Sequence, residues 1–154
     1  MDLDTLRHLR KVDAAHVGCW ETPDGFDYAA EMAHVQQLAP ILERIVDRAF
    51  SIDTGVQDAS YFTELGTYQD SRNPSGYMQR YAVLAIMFSS FGRLFTVWWN
   101  DETPPDPAIV PPVIEAVRER GYIYIASAML NSAYTGIDPR FQGETWWTRF
   151  FGYL

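Results

Sequence analysis

The chain has 154 residues, 47% hydrophobic and 21% charged, and its nine Phe, nine Tyr and five Trp suit one globular domain, residues 1–154, with a substantial core. That balance excludes a disordered or collagen-like chain. Twelve basic against twenty acidic residues give a formal charge of −8, with the excess confined to residues 1–110, so a nucleic-acid backbone would be repelled. Such a charge suits solubility and, as a functional reading, an acidic face for a basic partner. Cys19 is the only cysteine, so no intramolecular disulfide forms and a reducing cytoplasm is the expected compartment. No stretch of about 18 apolar residues exists, and Met1-Asp2-Leu3-Asp4 lacks the basic start of a secretory signal. Neither membrane insertion nor export is expected. Lys11 is the single lysine against eleven arginines, a bias spread over the whole chain that marks no site.

Leu3, Leu6 and Leu9 recur at a spacing of three, predicting a short amphipathic helix over residues 3–11 with Arg7, Arg10 and Lys11 in water. After turn chemistry at Glu21–Gly25, Asp27 can cap a helix whose apolar positions are Tyr28, Met32, Val35, Leu38, Leu42, Ile45 and Ala49. Pro40 lies inside it and predicts a kink or a break near Ala39. Residues 60–68 mix β-formers with polar residues and read as a half-exposed strand, followed by a loop over 70–76. Tyr81–Phe88 and Leu94–Trp99 are apolar runs joined by Ser89-Ser90-Phe91-Gly92, a central hairpin.

Residues 101–107 hold three prolines and three acids and predict an exposed acidic loop. Pro111 and Pro112 open a helix with Val113, Ile114 and Val117 on one face, ended by Gly121. Tyr122–Leu130 alternates in a way that predicts another strand, and Thr145 can cap a last helix carrying Trp147, Phe150, Phe151 and Leu154 as one stripe. With no βαβ series, the order predicts an α+β fold: a mainly antiparallel sheet of about four strands with helices packed on one face.

Catalytic signatures are missing from the sequence. His8, His16 and His34 form no ligand pattern, and His16 with Cys19, three apart, lacks the second pair a zinc site needs. No metal or cofactor is therefore expected, and Cys19 reads as an inert thiol rather than a nucleophile. Glu115 and Glu119 share a helix with Arg118 and Arg120, the composition of a solvated face. Glu64, in Thr63-Glu64-Leu65, is the acid best placed for a raised pKa. No Gly-rich phosphate loop, Gly-x-Ser-x-Gly or His-Glu-x-x-His occurs, and the chain reads as a binding protein rather than an enzyme.

The adjacent rings Trp98-Trp99, Trp146-Trp147 and Phe150-Phe151 are the unusual feature. Consecutive strand residues point to opposite faces, so Trp98 and Trp99 either both pack in a sheet covered on two sides or leave one ring beside Asp101, Glu102 and Asp106. An exposed ring flanked by acids is an anchor of the kind found in protein interfaces.

Gly121-Tyr122-Ile123-Tyr124-Ile125, Leu130, Tyr134-Thr135-Gly136 and Gly143-Glu144-Thr145-Trp146-Trp147-Thr148-Arg149-Phe150-Phe151-Gly152-Tyr153-Leu154 together resemble the ends of small acidic immunity proteins of bacterial polymorphic-toxin systems. The resemblance covers about a quarter of the chain and is a packing pattern, not a catalytic one. It implies a cytoplasmic protein that binds and neutralises a cognate toxin domain, with Trp146, Arg149 and Phe150 locking the last helix to the sheet. The expected contact surface is Trp99, Asp101, Glu102 and Asp106, with Asp70 and Arg72 second. A different reading places a small ligand or substrate in an aromatic pocket of Tyr61, Glu64, Tyr68 and Tyr81. A third makes the stripe Trp147, Phe150, Phe151 and Leu154 a homodimer face.

Overall fold

The computed structural model describes residues 2–153. Helix α1 spans Leu3–Ala15 and α2 Tyr28–Val46; β1 is Ser51–Ile52, β2 Tyr61–Arg72, β3 Met78–Ser89 and β4 Leu94–Trp98. Helix α3 covers Val110–Arg118, β5 Ile123–Tyr124, α4 Ser127–Leu130 and α5 Trp146–Phe151, with a 3-10 turn at Pro139–Phe141. The fold is α+β. Its sheet has five strands rather than about four, in the order β1-β2-β3-β4-β5. All pairs are antiparallel except β4 with β5.

Strand alternation explains the layers. On one face, Leu65, Leu84, Ile86, Phe88, Phe95 and Val97 meet Met32, Val35, Leu38 and Leu42 of α2 and Val113 and Val117 of α3. On the other, Tyr61, Met87 and Leu94 meet Leu9 and Val12 of α1, Met129 and Leu130 of α4, and Phe150 and Phe151 of α5. Helices thus pack on both faces, not on one as the sequence order suggested. The cause lies in the continuous apolar runs of β3 and β4, which offer large side chains to both sides.

Local signals account for most boundaries. Asp2, Asp27 and Thr145 accept from Asp4 N, Ala30 N and Thr148 N and cap α1, α2 and α5. Helix α2 runs unbroken through Pro40, because that residue and Gln36, whose carbonyl loses its donor, are both exposed to solvent. The expected loop at 70–76 begins as strand: β2 continues to Arg72 and β3 begins at Met78, with the reversal confined to Asn73–Tyr77. Asn73 shapes that turn by accepting from Tyr77 N at 3.0 Å through its side chain.

The predicted strand over Tyr122–Leu130 is corrected more sharply. Only Ile123–Tyr124 is strand, and Ser127–Leu130 is helical. Its apparent alternation put apolar residues on both faces, a pattern that equally fits a helical turn burying Met129 and Leu130. No described helix is long and apolar enough to cross a membrane.

Candidate functional site

The end of β4 is anchored to β3. Asn100 Oδ1 accepts from Ala82 N at 2.7 Å, and the Asn100 and Asp101 N–H groups both donate to Ala82 O, at 3.2 and 3.3 Å. Trp98 is half-buried and its indole Nε1 donates to Glu64 Oε2 at 2.8 Å, whereas Trp99 is 41% exposed. Of the two expectations for this pair, the structure realises the one with a single ring at the surface.

Trp99 follows a stretch of β4 that has no strand partner on one side. Strand β5 pairs only with Leu94 and Phe95, and the chain then turns into α4. The Arg93 and Phe95 carbonyls accept from Ile123 N and Ile125 N, so by alternation the backbone groups of Val97 face the same edge, where β5 no longer runs. A cleft of about 350 Å³ follows this edge, walled by Trp98, Trp99 and Trp147 and by the polar Ser127 and Asn131.

Beyond Trp99 the acidic loop separates two further clefts. Asp101 and Glu102 line one of about 410 Å³ with Arg72, Asn73 and Tyr81. Asp101 and Asp106 line the other, of about 390 Å³, with Arg48 and Ile109. Asp101 is thus common to both, and its Oδ2 accepts from Gln69 Nε2 at 2.7 Å. Asp106 is partly occupied in the turn before α3, accepting from Ala108 N at 2.9 Å. Arg72 comes next to Asp101 and Glu102 across the loop, donating to Gly76 O at 3.0 Å, and sits on β2 rather than in the loop where it was expected. Asp70, on the same strand, is exposed, lies opposite Arg80 and lines neither cleft.

The alternative pocket of Tyr61, Glu64, Tyr68 and Tyr81 is not assembled. Tyr61 hydrogen-bonds Tyr153, and Tyr81 belongs to the cleft of Asp101 and Glu102. Glu64 and Tyr68 do meet: the Tyr68 hydroxyl donates to Glu64 Oε1 while the Trp98 indole occupies Oε2. This contact depends on Gly66, since a Cβ there would lie 2.6 Å from the Tyr68 hydroxyl oxygen. Burial pushes the Glu64 carboxyl up, against the opposing hydrogen bonds of Tyr68 and Trp98, as the sequence suggested for this acid. Both its oxygens are engaged by neutral donors, which is the arrangement of a strut rather than of a proton donor awaiting substrate.

The remaining candidates are structural. The His16 ring packs on Phe91 at 5.6 Å, Cys19 is a half-buried free thiol, and no group of three or more metal-ligating side chains occurs among the described residues. Glu115 pairs with Arg118 at 3.9 Å on the exposed face of α3. Phe150 and Phe151 are wholly buried and Trp147 half-buried, so the proposed homodimer stripe is core instead; Leu154 lies outside the described residues.

The residue that sequence reasoning missed is Asp13. It accepts from Arg149 Nε at 2.8 Å, from the Tyr134 hydroxyl at 2.6 Å and from Ile137 N at 2.9 Å. Helix α1 offered a hint, because Asp13 follows Val12 on a stripe set by Leu6 and Leu9. Also missed was Trp147 as a wall of the edge cleft, for which the truncated β5 was the decisive and illegible cause. No protein-family model, curated protein or solved structure matches the chain.

Proposed function

We propose that the protein binds a basic protein partner at Trp99, at the end of β4, and along the loop that follows it, and neutralises that partner by occlusion. The carrying observation is Trp99, 41% exposed on a cleft with Trp98 and Trp147, with Asp101 and Glu102 just beyond Asn100. An exposed indole beside rigid neighbours supplies a buried anchor on binding, and the carboxylates speed encounter with a cationic surface. The resemblance of the C-terminal segment to immunity proteins suggests that the partner is a toxin domain.

The test uses the protein as bait at low and high salt, beside a variant carrying Trp99→Ala, Asp101→Asn and Glu102→Gln. Support is a basic protein retained by the native bait, released by salt and not retained by the variant. Retention of the same protein by both baits would remove this surface from the interaction. A purified partner whose enzymatic or toxic activity is undiminished in the complex would overturn neutralisation while leaving binding intact.

A further inference from the structure

The β2–β3 hairpin runs on past the buried part of the sheet. Residues 69–72 of β2 and 78–80 of β3 are all exposed, so this end is a two-stranded ribbon with solvent on both faces. Along its β2 margin, β1 pairs only with Leu65 and Gly66, and among the described residues no hydrogen bond reaches the backbone of Asp70 or Arg72 from outside the hairpin. Two contacts fix which way those backbone groups point. Asn73 N donates to Tyr77 O at 2.8 Å inside the hairpin, whereas Ala82, the β3 partner of Tyr68, turns its N–H and C=O away from β2 to Asn100. Alternation then directs the backbone groups of Ser71 inward to Gln79 and those of Asp70 and Arg72 outward. The Asp70 and Arg72 side chains share one face, and neither forms an ion pair among the described residues; Arg72 uses one N–H on Gly76 O, at 3.0 Å.

We propose that this edge pairs with the same edge of a second copy of the chain, forming a homodimer through an antiparallel β2–β2 ribbon whose two-fold axis passes at Ser71. In that register Asp70 lies opposite Arg72 of the second copy and Arg72 opposite Asp70 of the second copy, and each facing pair exchanges both backbone hydrogen bonds because both residues point outward. Charge selects the register: an axis at Asp70 would set two aspartates directly opposite, and an axis at Arg72 two arginines. Each Asp70 would then lie between Arg80 of its own hairpin and Arg72 of the second copy. Charged residues on an edge strand ordinarily deter pairing with a foreign strand. Asp-Ser-Arg read antiparallel is its own complement, so these charges reject other strands while accepting a second copy. The pairing does not rest on the binding of a basic partner.

Sedimentation equilibrium of the intact chain, from about 10 µM to about 1 mM, reads the association. A reversible monomer–dimer equilibrium is expected, weak because so short a pairing falls below the area of a standard interface. Asp70→Arg and Arg72→Asp each set like charges opposite one another and should each weaken the dimer at least about tenfold, with thermal midpoints near that of the native chain because both positions are exposed. An equimolar mixture of the two variants recreates both opposite-charge pairs and should associate about as well as the native chain, as should the chain carrying both exchanges together. Ser71→Cys in a Cys19→Ala background tests the axis itself. Facing residues of a non-hydrogen-bonded antiparallel pair have Cα atoms about 4.5 Å apart, within reach of a disulfide, so oxidation should give a covalent dimer, whereas Gln69→Cys in the same background should not. A chain that stays monomeric at about 1 mM, undiminished association of both single variants, a mixture that fails to associate, or equal cross-linking by the two cysteine variants would each overturn the proposal.

Discussion

Arg149, near the end of α5, donates from Nε to Oδ1 of Asp13 in α1 at 2.8 Å, and both side chains are completely excluded from solvent. The guanidinium also lies over the faces of Phe91, Phe141 and Phe150, at 4.4, 5.0 and 5.1 Å. Those rings and the His16 carbonyl, reached by Nη2 at 3.2 Å, are its remaining compensation for lost hydration. The C-terminal segment is thus a lock closed by a residue of the first helix.

Removing either charge should destabilise the fold by about 3–5 kcal/mol, and the two losses should not be equal. Asp13→Asn leaves a buried guanidinium that cannot release its proton. Arg149→Met leaves a carboxyl that still accepts from Tyr134 and Ile137 and can take up a proton. Asp13→Asn is therefore expected to be the more damaging, by urea denaturation at neutral pH. Replacing both by apolar residues should not restore the native stability, since Ile137 N and the Tyr134 hydroxyl would then lose their acceptor.

Gly136 belongs to the same lock. A Cβ on it would run into Asp13 Oδ2 and the Tyr134 hydroxyl, which form the hydrogen bond at its core. Gly136→Ala is expected to cost about 1–3 kcal/mol through that overlap. In an Asp13→Ala background part of this cost should vanish, the overlap with the Tyr134 hydroxyl remaining, and a cycle of the four proteins measures the coupling. Additive losses would show that Gly136 is needed for some reason other than the approach of Asp13.

What the sequence made legible followed from local rules. The caps Asp27 and Thr145, the glycine-containing reversal after Ser89 and the proline-led α3 sit where short-range chemistry puts them, with Gly92 and Arg93 both at positive φ in that reversal. Local rules left Trp99 either packed or exposed beside the acids after it, and the fold leaves it exposed. What failed depended on contacts distant in sequence. The length of β5 is decided by where α4 packs, so Tyr122–Leu130 could not reveal that β4 has no strand partner beyond Phe95. Arg72 joined Asp101 and Glu102 because β2 and β3 extend beyond their apolar cores as a polar hairpin. Asp13 shares the inward stripe of Leu6 and Leu9, but what it does there was illegible, since its partner is on the last helix.

Glu64 carries the pH dependence that can be assigned. Burial holds its carboxyl above the ordinary 4.5, outweighing the hydrogen bonds from Tyr68 and Trp98. A raised folded-state pKa means that the native protein holds the proton more tightly than the unfolded chain. The contribution of Glu64 is therefore complete below pH 4.5 and is lost as pH rises through the raised value. Compared with Glu64→Gln, which does not ionise, the native chain should lose relative stability across that window and then level off. Urea titrations of both proteins between about pH 4 and 7 read this difference directly. A difference that stays constant with pH would mean that Glu64 titrates alike in the folded and unfolded chains.

Gly66 tests how that carboxylate is held, and through it the wall of the edge cleft. Glu64, Gly66 and Tyr68 lie on one face of β2, and the Tyr68 ring crosses the bare glycine to reach Glu64. Gly66→Ala would drive a methyl into that ring, displacing the tyrosine and costing about 1–3 kcal/mol. In a Tyr68→Ala background the same substitution should be far milder, because the obstructing ring is gone and alanine suits a strand better than glycine. Trp98 shares Glu64 with Tyr68, so displacement of Tyr68 in Gly66→Ala should also change the emission of the half-buried indole. A Trp98→Phe control identifies that component among the five tryptophans. If Gly66→Ala weakens the fold equally with and without Tyr68, the glycine serves the backbone of β2 and not the reach of the tyrosine.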